Sequence, residues 1–180
     1  HDALPIFDDM TTGSREALPQ AGHLTLIERS YVYDQLLDDV LPEVDTVFHL
    51  ACRNIVMSAT HMDEDFHVNL YGGYKLLHKV HEHARKLRRF VYTSTASVYG
   101  NAKVLPTPES YYDTALPYSA SKLSMEHYCQ VFHRMHGLPV TVLRLSNVYG
   151  PGQVTSNPYC GVVSKFFEAI QQGVPMTIFG

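Results

Sequence analysis

Short apolar runs alternate along this chain with longer stretches of helical periodicity. Apolar, β-branched-rich runs predict strands at 5–7, 24–27, 46–51, 89–94, 140–145 and 176–179. Between them, apolar positions spaced three and four apart predict helices over 31–41, 65–87, 118–136 and 162–171. Gly137 followed by Pro139 marks the end of the third helix, because glycine tolerates the left-handed stop and proline cannot continue a helix. Strands alternating with helices imply βαβ units and a parallel sheet. Their continuously apolar runs fit strands buried on both faces. The expected fold is therefore α/β, a Rossmann-like doubly wound parallel sheet. The stretch 100–117 is the one long irregular segment, and a loop of that length is usually functional or mobile.

With 180 residues the chain can build one core, and its 45% hydrophobic and 18% charged residues are ordinary for a globular protein. A net charge of −4 offers no basic footprint for nucleic acid, and no apolar run suits a membrane span. Cys52, Cys129 and Cys160 are odd in number and far apart, which suits a reducing, cytoplasmic setting. His78, His81 and His83 raise a metal reading, but no acidic or cysteine partner at ligand spacing completes it. A solvated helix face is the expectation, with no metal.

Chemistry enters with Tyr118 and Lys122. On a helix, residues four apart share a face, so phenol and ammonium point the same way. A nearby cation favours the phenolate and should lower the tyrosine's proton affinity. The pair could then take or return a hydroxyl proton while hydride moves to or from a cofactor. The spacing alone is weak: 12 tyrosines and 6 lysines give about 0.4 chance matches. Tyr71 and Lys75 form such a match, in NLYGGYKLL, without a hydroxyl-bearing strand end before them, and Tyr71 reads as packing. Tyr118 instead comes after RRFVYTSTASVYG, a strand ending in Thr93, Ser94, Thr95 and Ser97. Hydroxyls at the carboxyl end of a parallel strand face the crevice where ligands bind. They can equally serve only local backbone bonds.

The order VDTVFHLA, NLYGG, FVYTSTASVYG, PYSASK and VLRLSNVYGPG resembles the extended short-chain dehydrogenases, the NAD-dependent epimerase/dehydratase family acting on nucleotide sugars. The resemblance runs from about residue 7 to 180. It implies that Tyr118 is the acid/base, that Lys122 binds the nicotinamide ribose, and that Thr95 is the catalytic Ser/Thr and touches substrate. It implies that Asp8 binds the adenosine ribose and favours NAD, since a carboxylate there repels a 2′-phosphate; a turn carboxylate is the plainer role. Leu50, Ala51, Cys52 and Thr93 would line the cofactor. Cys52-Arg53 departs from the commoner Ala-Ala and puts the fine contacts in question. Asn69 would stand near the active site, and Asn147 would touch the phosphate end of the sugar nucleotide.

The family's glycine-rich phosphate loop has no counterpart in this sequence, nor has the later substrate region. The chain therefore reads as a partial domain, truncated at both ends, inactive by itself, with an apolar gap expected between the strands at 5–7 and 24–27 and the strand at 46–51. Residues 1–6 are expected to be non-native: one codon reading of HDALPI (CAC GAC GCT CTT CCG ATC) reproduces a sequencing-adapter end, which a genomic read across the locus tests. No carboxylate stands just after Thr95 in Thr95-Ala96-Ser97-Val98, whereas eliminating water needs an acid/base there. The expected function is thus a UDP-sugar 4-epimerase using NAD, pairing as a homodimer as family members often do. The alternatives are a decarboxylase, dehydratase or keto-sugar reductase of the same family, a non-catalytic NAD sensor, or a fragment with no function of its own.

Overall fold

A computed structural model of the protein describes residues 3–33, 35–150, 153, 161–176 and 178. The chain divides into two compact units, 1–144 and 145–180. The first contains β1 (Leu4–Phe7), β2 (Leu24–Ile27), α1 (Leu36–Val40), β3 (Thr46–His49), α2 (Ile55–Thr60), α3 (Met62–Asp65), α4 (Gly73–His83), β4 (Arg89–Thr95) and α5 (Pro117–His136). Strand β5 (Val140–Leu145) ends at the division, and α6 (Val162–Gln172) belongs to the second unit. The strand expected at 176–179 falls largely outside the described residues.

The α/β expectation holds, and β1 and β2 pair in parallel, as do β3 and β4. Among the described residues the strands form two sheets, one of β1 and β2 and one ordered β3-β4-β5. The expected gap therefore exists: β1 and β3 each present an edge that no described strand covers. Its apolar character shows in Phe48 and Leu50, 64% and 61% exposed. Pro5 is tolerable on such an edge. Leu4 and Asp8 donate their N–H groups to β2, at 2.8 Å to His23 O and 3.2 Å to Ile27 O, so the alternate position, which proline leaves without a donor, faces away from β2. Residues 4–6, expected to be foreign, thus take part in β1.

Strand β4 is the centre. Six of its seven residues are buried, the two-sided burial that its unbroken apolar run requires. Phe90 and Tyr92 pack with Leu77 and Val80 of α4, and with Met125, Cys129 and Phe132 of α5. Helix α5 carries Pro117 in its first turn, where a missing N–H costs nothing, and stops at Gly137 with φ 68°.

Two helical expectations need correction. Only 36–40 of the region 31–41 is α-helical, continued by a 3₁₀ turn at Leu41–Glu43. Tyr31 and Val32 are buried in the core instead, and Tyr31 Oη donates to Val68 O at 2.5 Å. The long helix begins at Met62, ends at His83, and widens to a π-helical segment over Phe66–Gly72. Gly72 and Gly73 are where neighbours press on this helix: a Cβ on Gly72 would lie 2.8 Å from Tyr31 Oη, and one on Gly73 2.9 Å from Met125 Sδ. These glycines permit close approach rather than merely weakening a helix.

His49, at the end of β3, is 4% exposed and lies edge-on to Tyr31 with ring centroids 5.0 Å apart. Burial, and secondarily the charge of Lys122, push its pKa down to about 3. Unfolded, it titrates near 6.5, so between those values the unfolded chain binds the extra proton. Stability should therefore fall as pH drops from about 6.5 towards 3, this residue contributing at most about 1.4 kcal/mol per pH unit. Urea titrations across this range check it: His49→Phe should flatten the slope, and an unchanged slope would contradict the assignment.

Candidate active site

The carboxyl ends of β3 and β4 and the first turns of α5 meet at one place. Lys122 is 2% exposed and donates from Nζ to Thr93 O at 2.8 Å. Thr93 donates its hydroxyl to His49 O at 3.0 Å, which ties β4 to β3. Tyr118 is half-buried, with its Oη 4.0 Å from Cys52 Sγ. The ammonium of Lys122 lies 5.7 Å from the Tyr118 ring centroid and 5.1 Å from that of Tyr92. Cys52, Thr93, Tyr118 and Lys122 are thus brought together, from segments 66 and 29 residues apart.

The proton affinity of Tyr118 runs opposite to the simple expectation. Burial raises it well above the ordinary phenol value, and the neighbouring Cys52 and Asp65 push the same way. Lys122 is lowered by burial, against the opposing pull of Cys52 and Asp65. The lysine is engaged by a backbone carbonyl, and the phenol meets desolvation before it meets a cation. Burial and the neighbouring charges thus favour the protonated phenol.

Other expected residues have more local roles. Thr95 Oγ1 accepts from Ser97 N at 3.1 Å and caps the short 3₁₀ turn Ala96–Tyr99. Asp8 Oδ1, at the end of β1, accepts from Met10 N at 2.7 Å, the turn-carboxylate arrangement. Leu50 and Ala51 are exposed beyond β3. Asn147 is exposed and belongs to the second unit. Tyr71 stacks on His67, centroids 5.5 Å apart, and near Tyr33 at 6.4 Å, while its i+4 lysine has no part in the cluster around Tyr118. His78 pairs with Glu82 at 3.0 Å, His83 faces Asp38 at 3.6 Å, and His81 stacks on His136, so the three histidines diverge.

The structure also gives specific contacts to residues that the sequence reading named only in passing, Arg53 and Asn69, and to two it passed over, Arg144 and Glu126. Arg53 reaches Asp9 Oδ2 at 3.0 Å and Glu64 Oε1 at 2.7 Å, linking the ends of β1 and β3. Asn69, from the π-helical segment, accepts from Arg53 N at 2.7 Å and donates to Arg53 O at 3.0 Å. Arg144 and Glu126 form a buried pair behind the site. A carboxylate four residues before Asn69, and one four residues after Lys122, were the available signals, and no local pattern marks either as buried.

The NAD dependent epimerase/dehydratase family model matches residues 6–180. The chain belongs to that family. It is 33% identical over 184 residues to a UDP-glucose 4-epimerase of Mycolicibacterium smegmatis, covering 96% of this chain and 56% of that protein. It is 31% identical over 159 residues to a dTDP-glucose 4,6-dehydratase of the same organism, covering 84% and 47%. Among solved structures, the UDP-N-acetylglucosamine 4-epimerase of Methanobrevibacter ruminantium M1, in complex with UDP-N-acetylmuramic acid, superposes with a TM-score of 0.90 at 30% identity, covering 99% of this chain and 58% of that one. This epimerase/dehydratase chain thus spans about half the length of the proteins it resembles. Among its described residues no helix is long and apolar enough to cross a membrane, and Cys52 and Cys129 are free thiols.

Proposed function

We propose that this chain is the cofactor-binding half of a longer NAD-dependent nucleotide-sugar 4-epimerase acting on a UDP-sugar. The observation that carries it is the pairing of half-buried Tyr118 with buried Lys122 at the carboxyl end of β4, where parallel-sheet folds bind ligands.

The residues present suit the two riboses of NAD. Asp8 places a carboxylate where it would meet ribose hydroxyls and repel a 2′-phosphate, exposed Ala51 leaves room beside β3, and Lys122 offers donors to a ribose. They do not hold the pyrophosphate that joins those riboses: Gly13 lies against the Asp8 carboxylate, and β1 leads into a loop and a 3₁₀ turn at Arg15–Ala17. That part is proposed to come from sequence outside this chain.

Bound NAD supplies hydride uptake and return at C4 of the sugar, and its positive ring favours the phenolate. Tyr118 takes the C4 hydroxyl proton at Oη and gives it back to the 4-keto oxygen; its raised proton affinity suits the second step. Lys122 holds its neighbour Thr93 through the carbonyl and sets positive charge beside the phenol. Thr95 turns its hydroxyl from Ser97 to the reacting oxygen. Asn147 contacts the phosphate end of the substrate. The exposed Tyr128, Val131 and Met135 of α5 support a homodimer, and the free thiols support a cytoplasmic setting.

The 4,6-dehydratase relative keeps a second reaction in view, but Ala96 and Ser97 place no carboxylate beside Thr95. Proton NMR of the full-length enzyme with UDP-glucose and NAD tests the reading. UDP-galactose is the expected product. A 4-keto-6-deoxy product, or NAD binding without turnover, would overturn it.

A further inference from the structure

Asp65 is 3% exposed at the end of α3, the buried residue of the acidic run Asp63-Glu64-Asp65. Its Oδ1 accepts from Ser58 Oγ at 2.5 Å, from Asn69 Nδ2 at 2.6 Å and from Ser121 Oγ at 3.2 Å. Each donor stands on a different part of the site. Ser58 lies on α2. Asn69 holds the backbone of Arg53, directly after Cys52, at both N and O. Ser121 lies on α5 between Tyr118 and Lys122, and shares its proton with Tyr118 O at 3.0 Å. One carboxylate oxygen therefore links the segment that bears Cys52 to the helical turn that bears the phenol and the ammonium.

We infer that Asp65 is a positioning residue for Tyr118 and Lys122, holding through Ser121 the turn of α5 that carries both and through Asn69 the segment beyond β3 that faces them. The inference rests on the reading of Tyr118 and Lys122 as the reacting pair. A carboxylate that only anchored helices would sit equally well with its α5 partner on the far side of that helix; here that partner, Ser121, stands between Tyr118 and Lys122 and bonds to Tyr118 O. Its charge has a second consequence. The groups that face Tyr118 are Cys52 beyond β3, Lys122 on α5, Tyr92 on β4 and Asp65 below. Asp65 favours the ammonium of Lys122 and disfavours the phenolate of Tyr118. It therefore adds to burial in keeping the phenol protonated, and offsets part of the effect of burial on the ammonium.

The test reads the pair directly, without sugar or cofactor. Difluorotyrosine at position 118 of the full-length protein titrates in an accessible range and reports by fluorine NMR. Asp65→Asn keeps an acceptor oxygen and removes the charge, so the midpoint at 118 should fall by roughly half a pH unit or more. Ser121→Ala keeps the charge and breaks the link, so the fluorine resonance at neutral pH should move. A folded Asp65→Asn protein with an unchanged midpoint would overturn the inference. So would a Ser121→Ala protein with the parent's resonance and midpoint, which keeps the test decisive if Asp65→Asn does not fold. Failure of the UDP-glucose experiment would leave these readings intact, so the two proposals fail separately.

Discussion

Tyr118→Phe in the full-length enzyme should lower kcat by about 10²–10⁴-fold, the range that a positioned proton-transfer group supplies. The substitution removes one oxygen and keeps the ring. That oxygen meets Cys52 Sγ at 4.0 Å, so no strong hydrogen bond is lost and the thermal midpoint should hold. KM should change little, because the phenol acts on the proton in flight rather than on the resting substrate. Lys122 makes a poorer probe. It is buried, and its removal leaves Thr93 O without the ammonium, so activity and stability would fall together. Tyr71→Phe is the matched control: it removes the hydroxyl of the same i, i+4 pattern elsewhere and should leave kcat unchanged. Steady-state kinetics of both variants decide the matter. Near-parental turnover by Tyr118→Phe would remove the proposed mechanism.

Arg144→Ala should be the most destabilising single change near the site, by about 3–5 kcal/mol, the cost of stranding one partner of a buried ion pair. Arg144 and Glu126 side chains are 15% and 6% exposed. The guanidinium meets both carboxylate oxygens, at 3.0 Å from Nε to Oε1 and 2.7 Å from Nη2 to Oε2, and Ser94 also donates to Oε1. Glu126 in turn raises the proton affinity of Arg144. Nη1 donates to Glu109 O at 2.8 Å, and the guanidinium carbon lies 4.8 Å from the Tyr99 ring centroid. The pair thus ties β5, α5, β4 and the loop 100–117 together. Urea unfolding should show a lower midpoint. The double variant Glu126→Leu with Arg144→Met should recover much of the loss, because it buries no unpaired charge. An Arg144→Ala protein as stable as its parent would show that the carboxylate finds water or another donor.

The loop 100–117 shows why length alone misleads. It reads as mobile or functional, yet it is pinned at several points. Asp113 N donates to Val98 O at 2.9 Å, and Gly100, with φ 49°, comes so near Asp113 that a Cβ would stand 2.1 Å from its carbonyl oxygen. Arg144, 35 residues beyond Glu109, supplies the rest. No local pattern announces a contact made at that separation.

Short-range chemistry is enough for part of this protein. The unbroken apolar run makes β4 a central strand, Pro117 and Gly137 bound α5, and helical spacing puts Tyr118 and Lys122 on one face. Each depends on residues within a few positions of one another, where backbone preference and periodicity act. The family is legible for the same reason, since its motifs are short and ordered. Tertiary packing decides the rest. It withdraws Tyr31 and Val32 from a helix to fill the space above Gly72, and it widens the helix around Asn69. It turns Asp65 and Glu126 from apparent surface acids into buried hubs whose partners lie as far as 56 and 32 residues away. Above all it sets the direction of the Tyr118 proton affinity. Spacing shows only that a lysine is near; burial and the other charges around the phenol determine which protonation state that nearness favours.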